Sequence, residues 1–172
     1  MHVMLDLETM GTRPNAPIIA IGAVPFDAKG VYSGFYCNID LESAVNEGHA
    51  VVDPATVLWW MEQSGEARSS LRGDKRPVHT ALYEFRTWLK AIDLDGLWGN
   101  GASFDNVILS ETYRRVGIAA PWPFYMDRCY RTMKNMYPLI KLDREGVHHN
   151  AMDDAKSQAN HLIKIWREGT KV

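Results

Sequence analysis

Apolar and polar residues recur with two different periods along the chain. Near the start the period is two. In residues 2–8, His-Val-Met-Leu-Asp-Leu-Glu, Val3, Leu5 and Leu7 fall on one face, and Met4, Asp6 and Glu8 on the other. Gly11 and Pro14 break this strand, and residues 17–26 resume as a second apolar strand that ends in the turn Asp27-Ala28-Lys29-Gly30. Residues 33–39 make a third. The short connections predict an antiparallel meander.

Beyond residue 50 the helical period takes over. Asp53-Pro54, a capping residue followed by proline, opens a helix to about Gln63. Residues 64–77 read as a loop. Residues 78–92 carry the apolar stripe Leu82, Phe85, Trp88, Leu89 and Ile92. A short strand at 95–99 enters Asn100-Gly101, and Ser103 is positioned to cap a helix from Phe104 to about Val116. Phe124-Tyr125-Met126 reads as a last strand, followed by a short helix from Arg128 to Met136. Asn150 caps a final helix to about Glu168, with Ala155, Ala159, Leu162, Ile163 and Trp166 inward. Three strands, then strands alternating with helices, make an α/β layered domain with a mixed five-stranded sheet.

Length and composition narrow the class. The 172 residues suit one domain, spanning 1–172, and can bury a core without disulfides or structural metal. Cys37 and Cys129 match neither a zinc spacing nor a disulfide framework, so they are expected as free thiols in a reducing cytoplasm. No apolar run is long enough to span a membrane, and the first residues lack the basic start of a signal peptide. Trp59 and Trp60 fall in a predicted helix, as do Trp88 and Trp166; core packing accounts for most of the six tryptophans, and base stacking is the exception. The net charge of −2 argues against gripping long duplex nucleic acid by bare charge.

Three features depart from a pattern made only for folding. Asp6 and Glu8 share one face of a strand apolar enough to be central. Two carboxylates cannot both stay ionised in a dry site, so that face lines a cleft or holds a cation; the alternative is a solvated edge strand. Asp105 follows a strand and a Gly-containing turn, at the carboxyl edge where α/β sheets collect ligands; the alternative is an acid that stabilises a helix start. In His148-His149-Asn150-Ala151-Met152-Asp153-Asp154, Asp153 suits a capping role and Asp154 lies near the core boundary; the alternative is a surface histidine with two helix-dipole acids.

Taken together, four acids and a histidine from three elements are compatible with one cleft. Oxygen-only ligands favour Mg²⁺ or Mn²⁺ over zinc. Two such ions about 3.5–4 Å apart can hold both the attacking and the leaving oxygen of a phosphoryl displacement. A loop histidine with a pKa near ~6.5 suits the role of general base. Set against two divalent cations, those four acids are neutralised, and the remainder of the chain becomes slightly basic. Arg128, Arg131, Lys134 and Lys141 form a local basic strip fit for the phosphates of a single strand; the alternative is a solvated helix face.

These residues carry a family resemblance. Asp6-Leu7-Glu8-Thr9, Asn100-Gly101-Ala102-Ser103-Phe104-Asp105-Asn106 and His149-Asn150-Ala151-Met152-Asp153-Asp154 resemble, in order and spacing, the three motifs of the DEDDh 3'-5' exonucleases. The resemblance covers about residues 2–166. Asp6-Leu7-Glu8-Thr9-Met10-Gly11, Thr56-Val57-Leu58-Trp59-Trp60, Trp98-Gly99-Asn100-Gly101 and Asp127-Arg128-Cys129-Tyr130-Arg131-Thr132 look like the phage and prophage branch, with its exodeoxyribonuclease VIII-like and RNase AS-like members.

The resemblance implies a ribonuclease H-like fold, two Mg²⁺ or Mn²⁺ ions, and release of nucleoside 5'-monophosphates from a 3' end. By it Asp6, Glu8, Asp105 and Asp154 are metal ligands and His149 activates water. Thr9, Met10 and Phe104 lie near the terminal nucleotide, and Asn100, Arg128 and Arg131 join them as expected substrate contacts. The expected substrate is single-stranded DNA or a 3' overhang. The alternatives are RNA 3' tails, an endonuclease of the same broad fold, or a binding module without turnover. Related exonucleases are frequently homodimers, so a homodimer is a further expectation.

Overall fold

The computed structural model describes residues 1–169. The meander forms as its alternation predicts: β1 (His2–Thr9), β2 (Ile18–Phe26) and β3 (Phe35–Ile39) pair antiparallel, with Asp6 opposite Gly22 and Glu8 opposite Ala20. β2 is buried along its whole length, as a strand covered on both faces should be.

The helical half follows. α1 is Leu41–Asn46, α2 Pro54–Glu62 and α3 Gly65–Ser70; β4 is Lys75–Arg76 and α4 Val78–Lys90. Then come β5 (Gly96–Gly99), α5 (Asp105–Arg115), β6 (Asp127–Cys129), α6 (Tyr130–Met136) and α7 (Ala151–Gly169). β5 pairs parallel with β1 and β6 parallel with β5, so the sheet is mixed, in the order β4-β3-β2-β1-β5-β6. β1 is therefore central.

The two faces of β1 belong to different layers. Val3, Leu5 and Leu7 pack with Leu82, Phe85 and Leu89 of α4 and Ile108 and Leu109 of α5. Met4 packs on the other face with Trp98, Tyr130, and Ala155, Ala159 and Leu162 of α7. The expected three-layer α/β architecture is present.

The sheet has six strands rather than the five expected. The extra one, β4, is two exposed basic residues within the stretch read as a loop; it pairs parallel with the end of β3. Such an edge strand has no apolar alternation to reveal it. Phe124–Met126, read as a strand, is a single 3-10 turn, and the strand begins one residue later at Asp127. The Asp127 carboxylate accepts from Asn106 Nδ2 at 2.8 Å and Trp122 Nε1 at 2.9 Å, which fixes where the chain joins the sheet. α1 and α3 were not expected. Each starts on a side-chain cap, Asp40 accepting from the Ser43 amide and Ser64 from the Ala67 amide. Ser103 caps nothing: Phe104 precedes α5 without a side-chain cap.

Gly22 sets the position of α7. A Cβ at that residue would lie 2.2 Å from the Ala151 carbonyl carbon and 2.4 Å from the Met152 amide nitrogen. Only glycine admits the first turn of α7 this close to the sheet, directly across β2 from Asp6.

Candidate active site

Asp6, Glu8, Asp105, His149 and Asp154 all line one cleft of about 570 Å³. Asp6 and Glu8 reach it from β1. Asp105 stands at the first position of α5, beyond the carboxyl end of β5. Its two oxygens accept from the Leu7 amide at 3.1 Å and the Asn100 amide at 2.7 Å. The residue expected at a ligand-binding sheet edge is thus also tied to β1 itself.

Asp154 comes from the first turn of α7. Its Oδ2 accepts from the His149 amide at 2.8 Å, and its Oδ1 from Arg144 Nη1 at 2.6 Å. Asn150 caps the helix as its sequence suggests, accepting from the Met152 and Asp153 amides. Asp153 turns away and accepts from the Val147 amide at 2.9 Å. The two neighbouring acids have separate tasks: Asp153 folds the preceding loop, and Asp154 faces the cleft.

Electrostatics follow from this crowding. Burial, then repulsion from Asp105, Glu8 and Asp154, holds the Asp6 carboxyl well above the usual range, against a hydrogen bond from Gln158 that acts the other way. Burial first, then Asp154 and Asp105, pushes Glu8 up to about 8. Burial lifts Asp105 to about 6, opposed by the Asn100 and Leu7 amides and by Arg131. Each carboxyl is costly to ionise where it stands, so the site calls for positive charge.

The donors fit a hard divalent cation. Carboxylate oxygens of Asp6, Glu8 and Asp154 lie within 4.8 Å of one another, and Asp105 adjoins them closely enough to be the largest single charge acting on Asp6. Glu8 Oε1 is buried and has no hydrogen-bond partner among the described residues. An orphaned acceptor inside an all-oxygen cluster is what Mg²⁺ or Mn²⁺ would satisfy.

His149 sits on the loop before α7 with a left-handed backbone, φ 64°. Its ring stacks on His148 at 3.7 Å and meets the edge of Trp59 at 4.8 Å. Burial, followed by His148, lowers its pKa from 6.5, against an upward pull from Asp154. The imidazole is held in its neutral, proton-accepting form near pH 7.

The expected substrate contacts divide. Thr9, Asn100, Phe104 and Arg131 line the cleft, as does Lys134. Phe104 also packs against the core. Met10 does not line the cleft: its amide donates to the Pro17 carbonyl, its carbonyl accepts from the Asp53 amide, and its side chain packs beside Trp60. Arg128 is also outside, because β6 directs it to the carbonyls of Tyr125 and Asp127. Lys141 donates to the Pro138 carbonyl. Of the basic strip, only Arg131 and Lys134, three residues apart on α6, face the cleft.

Three contributors were not expected. Gln158 Nε2 donates to Asp6 Oδ1 at 2.7 Å; its place one helical turn after Asp154 was the available signal. Arg144 pairs with Asp154 across a loop that carries no periodic pattern. Trp59 forms part of the cleft wall at 40% exposure. Its neighbour Trp60 is the buried one and donates from Nε1 to the Thr9 carbonyl at 2.9 Å.

The fold is a layered α/β domain with a cleft lined by acids. The chain belongs to the family described as the 3'-5' exoribonuclease Rv2179c-like domain, which it matches over residues 1–166. It is similar to an exodeoxyribonuclease of Enterobacteria phage T4, 29% identical over 128 residues, 66% of this chain and 56% of that protein. The match thus spans little more than half of that relative.

Two solved structures share the fold. The nuclease domain of 3'hExo, a DEDDh family member bound to rAMP, superposes with a TM-score of 0.65 at 16% identity, covering 99% of this chain and 93% of that one. Exonuclease X in complex with 5' overhanging duplex DNA gives 0.59 at 17% identity, covering 98% and 93%.

Proposed function

We propose that the protein removes nucleotides one at a time from the 3' end of single-stranded nucleic acid, releasing nucleoside 5'-monophosphates with the help of two Mg²⁺ or Mn²⁺ ions. The observation that carries this reading is the buried cluster of Asp6, Glu8, Asp105 and Asp154, whose Glu8 Oε1 has no hydrogen-bond partner among the described residues. Asp6, Glu8, Asp105 and Asp154 would hold the cations. When bound, the cations stabilise the charge that develops on the phosphoryl oxygens and assist ionisation of the attacking water.

The chain's own residues do the rest. Neutral His149 takes the proton of the water as the water oxygen bonds phosphorus; the bond from phosphorus to the 3' oxygen of the preceding nucleotide breaks, and that oxygen leaves to take a proton from solvent. Asp154 fixes the loop beneath that imidazole through the His149 amide. Arg131 and Lys134 hold phosphate oxygens of the strand, and Phe104 and Trp59 pack against the terminal nucleotide. Their placement around one cleft supports these roles. Asn100 orients Arg131 by accepting from its Nε at 3.4 Å.

A second reading, trimming of RNA 3' tails, is favoured by the description of the matching family; the name of the phage relative refers to DNA. The decisive experiment is digestion of 3'- and 5'-labelled single- and double-stranded DNA and RNA with Mn²⁺ or Mg²⁺, with Asp6→Ala as control. Mononucleotides from 3' ends are expected, and none from Asp6→Ala. Internal fragments would identify an endonuclease, and no product from any polymer would leave a binding module.

Two further expectations belong to this proposal. The free thiols of Cys37 and Cys129 support a reducing, cytoplasmic setting, and no helix among the described residues is long and apolar enough to cross a membrane. Exposed Leu58 and Met61 on α2 support a homodimer, which sedimentation at several concentrations would detect.

A further inference from the structure

Arg144 occupies an unusual position for a cation. It lies in the loop between α6 and α7, and its side chain is 46% exposed while that of its partner Asp154 is 10% exposed. Only one of its donors is used: Nη1 bonds Asp154 Oδ1 at 2.6 Å, and its other N–H groups have no acceptor among the described residues. The same guanidinium lines the cleft beside Tyr130 and His149.

Its backbone is anchored close by. The Glu145 amide donates to Ser157 Oγ at 2.9 Å, and the Val147 amide to Asp153 at 2.9 Å. Both anchors are on α7, so the loop is fixed over the helix and the side chain is the part free to turn. A guanidinium presents donors in a planar fork that matches two oxygens of a phosphate, a geometry an ammonium lacks. An arginine serving only as an exposed ion pair contributes little to stability; here it is directed at an oxygen of the carboxylate cluster.

We propose that Arg144 is a phosphate-binding residue of the cleft that Asp154 holds in reserve: with Asp154 engaged by a divalent cation, the guanidinium would be released to bind a phosphate oxygen of the terminal nucleotide. Cation binding and substrate binding are coupled through this one side chain. The inference rests on the exonuclease reading.

Two effects of opposite sign follow for Arg144→Met. Removing the competing cation tightens Mn²⁺ binding without nucleotide, by about threefold or more, read from the EPR signal of free Mn²⁺. Removing the phosphate contact weakens binding of a nucleoside 5'-monophosphate at saturating Mn²⁺ by about tenfold, read by calorimetry. The corresponding nucleoside, which has no phosphate, binds both proteins equally.

Arg144→Lys keeps a charge without the fork. It should leave Mn²⁺ affinity near the wild-type value and weaken the mononucleotide less than Arg144→Met does. A purely structural arginine would not move the two affinities in opposite directions. Unchanged or weaker Mn²⁺ binding in Arg144→Met, or unchanged mononucleotide binding, overturns the proposal. Should the wild-type protein neither bind Mn²⁺ nor release mononucleotides, the exonuclease reading itself fails. If it does both and Arg144→Met behaves identically, only the role of Arg144 is lost.

Discussion

Gln158 Nε2 donates to Asp6 Oδ1 at 2.7 Å, joining the last helix to the first strand at the acid most crowded by its neighbours. The amide fixes the rotamer of a carboxylate that would otherwise turn away from three like charges. Its own Oε1 is buried and unpartnered, so it works at some cost to itself. Gln158→Ala should weaken Mn²⁺ binding and lower kcat by about 10-fold or more, in line with losses of partners that orient metal ligands. A variant with unchanged Mn²⁺ affinity would show that Asp6 needs no such support.

The raised carboxyl groups give the fold a pH dependence. Glu8 ionises at about 8 in the folded protein and at 4.5 as a free side chain. Folding therefore retains its proton between those values, and stability is full below pH 4.5 and lost as pH rises through 8. In EDTA, the melting temperature should fall over this window. Added Mg²⁺ or Mn²⁺ should restore it, with a larger increment at higher pH because the cations favour the ionised carboxylates. Glu8→Gln should flatten the metal-free slope and shrink the increment. Differential scanning fluorimetry across pH, with and without cation, checks both signs.

His149 should govern the acid side of the rate profile. Its pKa lies below 6.5, so the proton-accepting form dominates at neutral pH and is lost on acidification below that value. His149→Ala should lower kcat by roughly 10²–10⁴, while Mn²⁺ binding persists. Trp59→Ala removes the ring edge against which the imidazole rests, and should reduce kcat less than His149→Ala does. A His149→Ala enzyme with full kcat would assign proton removal to another group.

Arg131 and Lys134 face the cleft, whereas Arg128 does not. Arg131→Ala should raise KM more than it lowers kcat, and it should flatten the salt dependence of binding. Arg128→Ala, whose side chain is bound to two carbonyls beside β6, should leave KM unchanged. Steady-state kinetics on a labelled oligonucleotide separate the two.

Gly22→Ala tests the seat of α7. The new methyl would meet the Ala151 carbonyl carbon at 2.2 Å, a contact that only a shift of the helix can relieve. Because Asp154 and Gln158 ride on that helix, Mn²⁺ affinity should fall along with the melting temperature. Substitution of Gly30, where a Cβ would meet nothing within 4 Å, serves as the neutral control.

The acids of the cleft are legible in the sequence because their chemistry conflicts with their surroundings. Asp6 and Glu8 interrupt an apolar strand, and such a conflict is visible without coordinates. Asp154 is separated from Asp153 by capping position as well as by motif spacing, and the structure shows one acid accepting from the Val147 amide and the other lining the cleft. What stayed hidden were residues whose roles depend on distant partners. Arg144 lies in an aperiodic loop, and nothing in its neighbours announces an ion pair with α7. Trp59 and Trp60 are adjacent and chemically identical, yet only their helical phase decides which is buried and which borders the cleft. Arg128 and Arg131 likewise look equivalent until β6 and α6 point them in different directions. β4 escaped because two exposed basic residues on a sheet edge bury nothing.

The long reach between Gln158 and Asp6, 152 positions apart in the chain, bears on the order in which the cleft is assembled. A ribosome delivers β1 well before α7. Until α7 seats over Gly22, the emerging polypeptide has Asp6 and Glu8 but lacks Asp154, Gln158 and His149. Docking of α7 over Gly22 therefore completes the cleft, and a chain that has not yet formed that helix holds only part of the acid cluster.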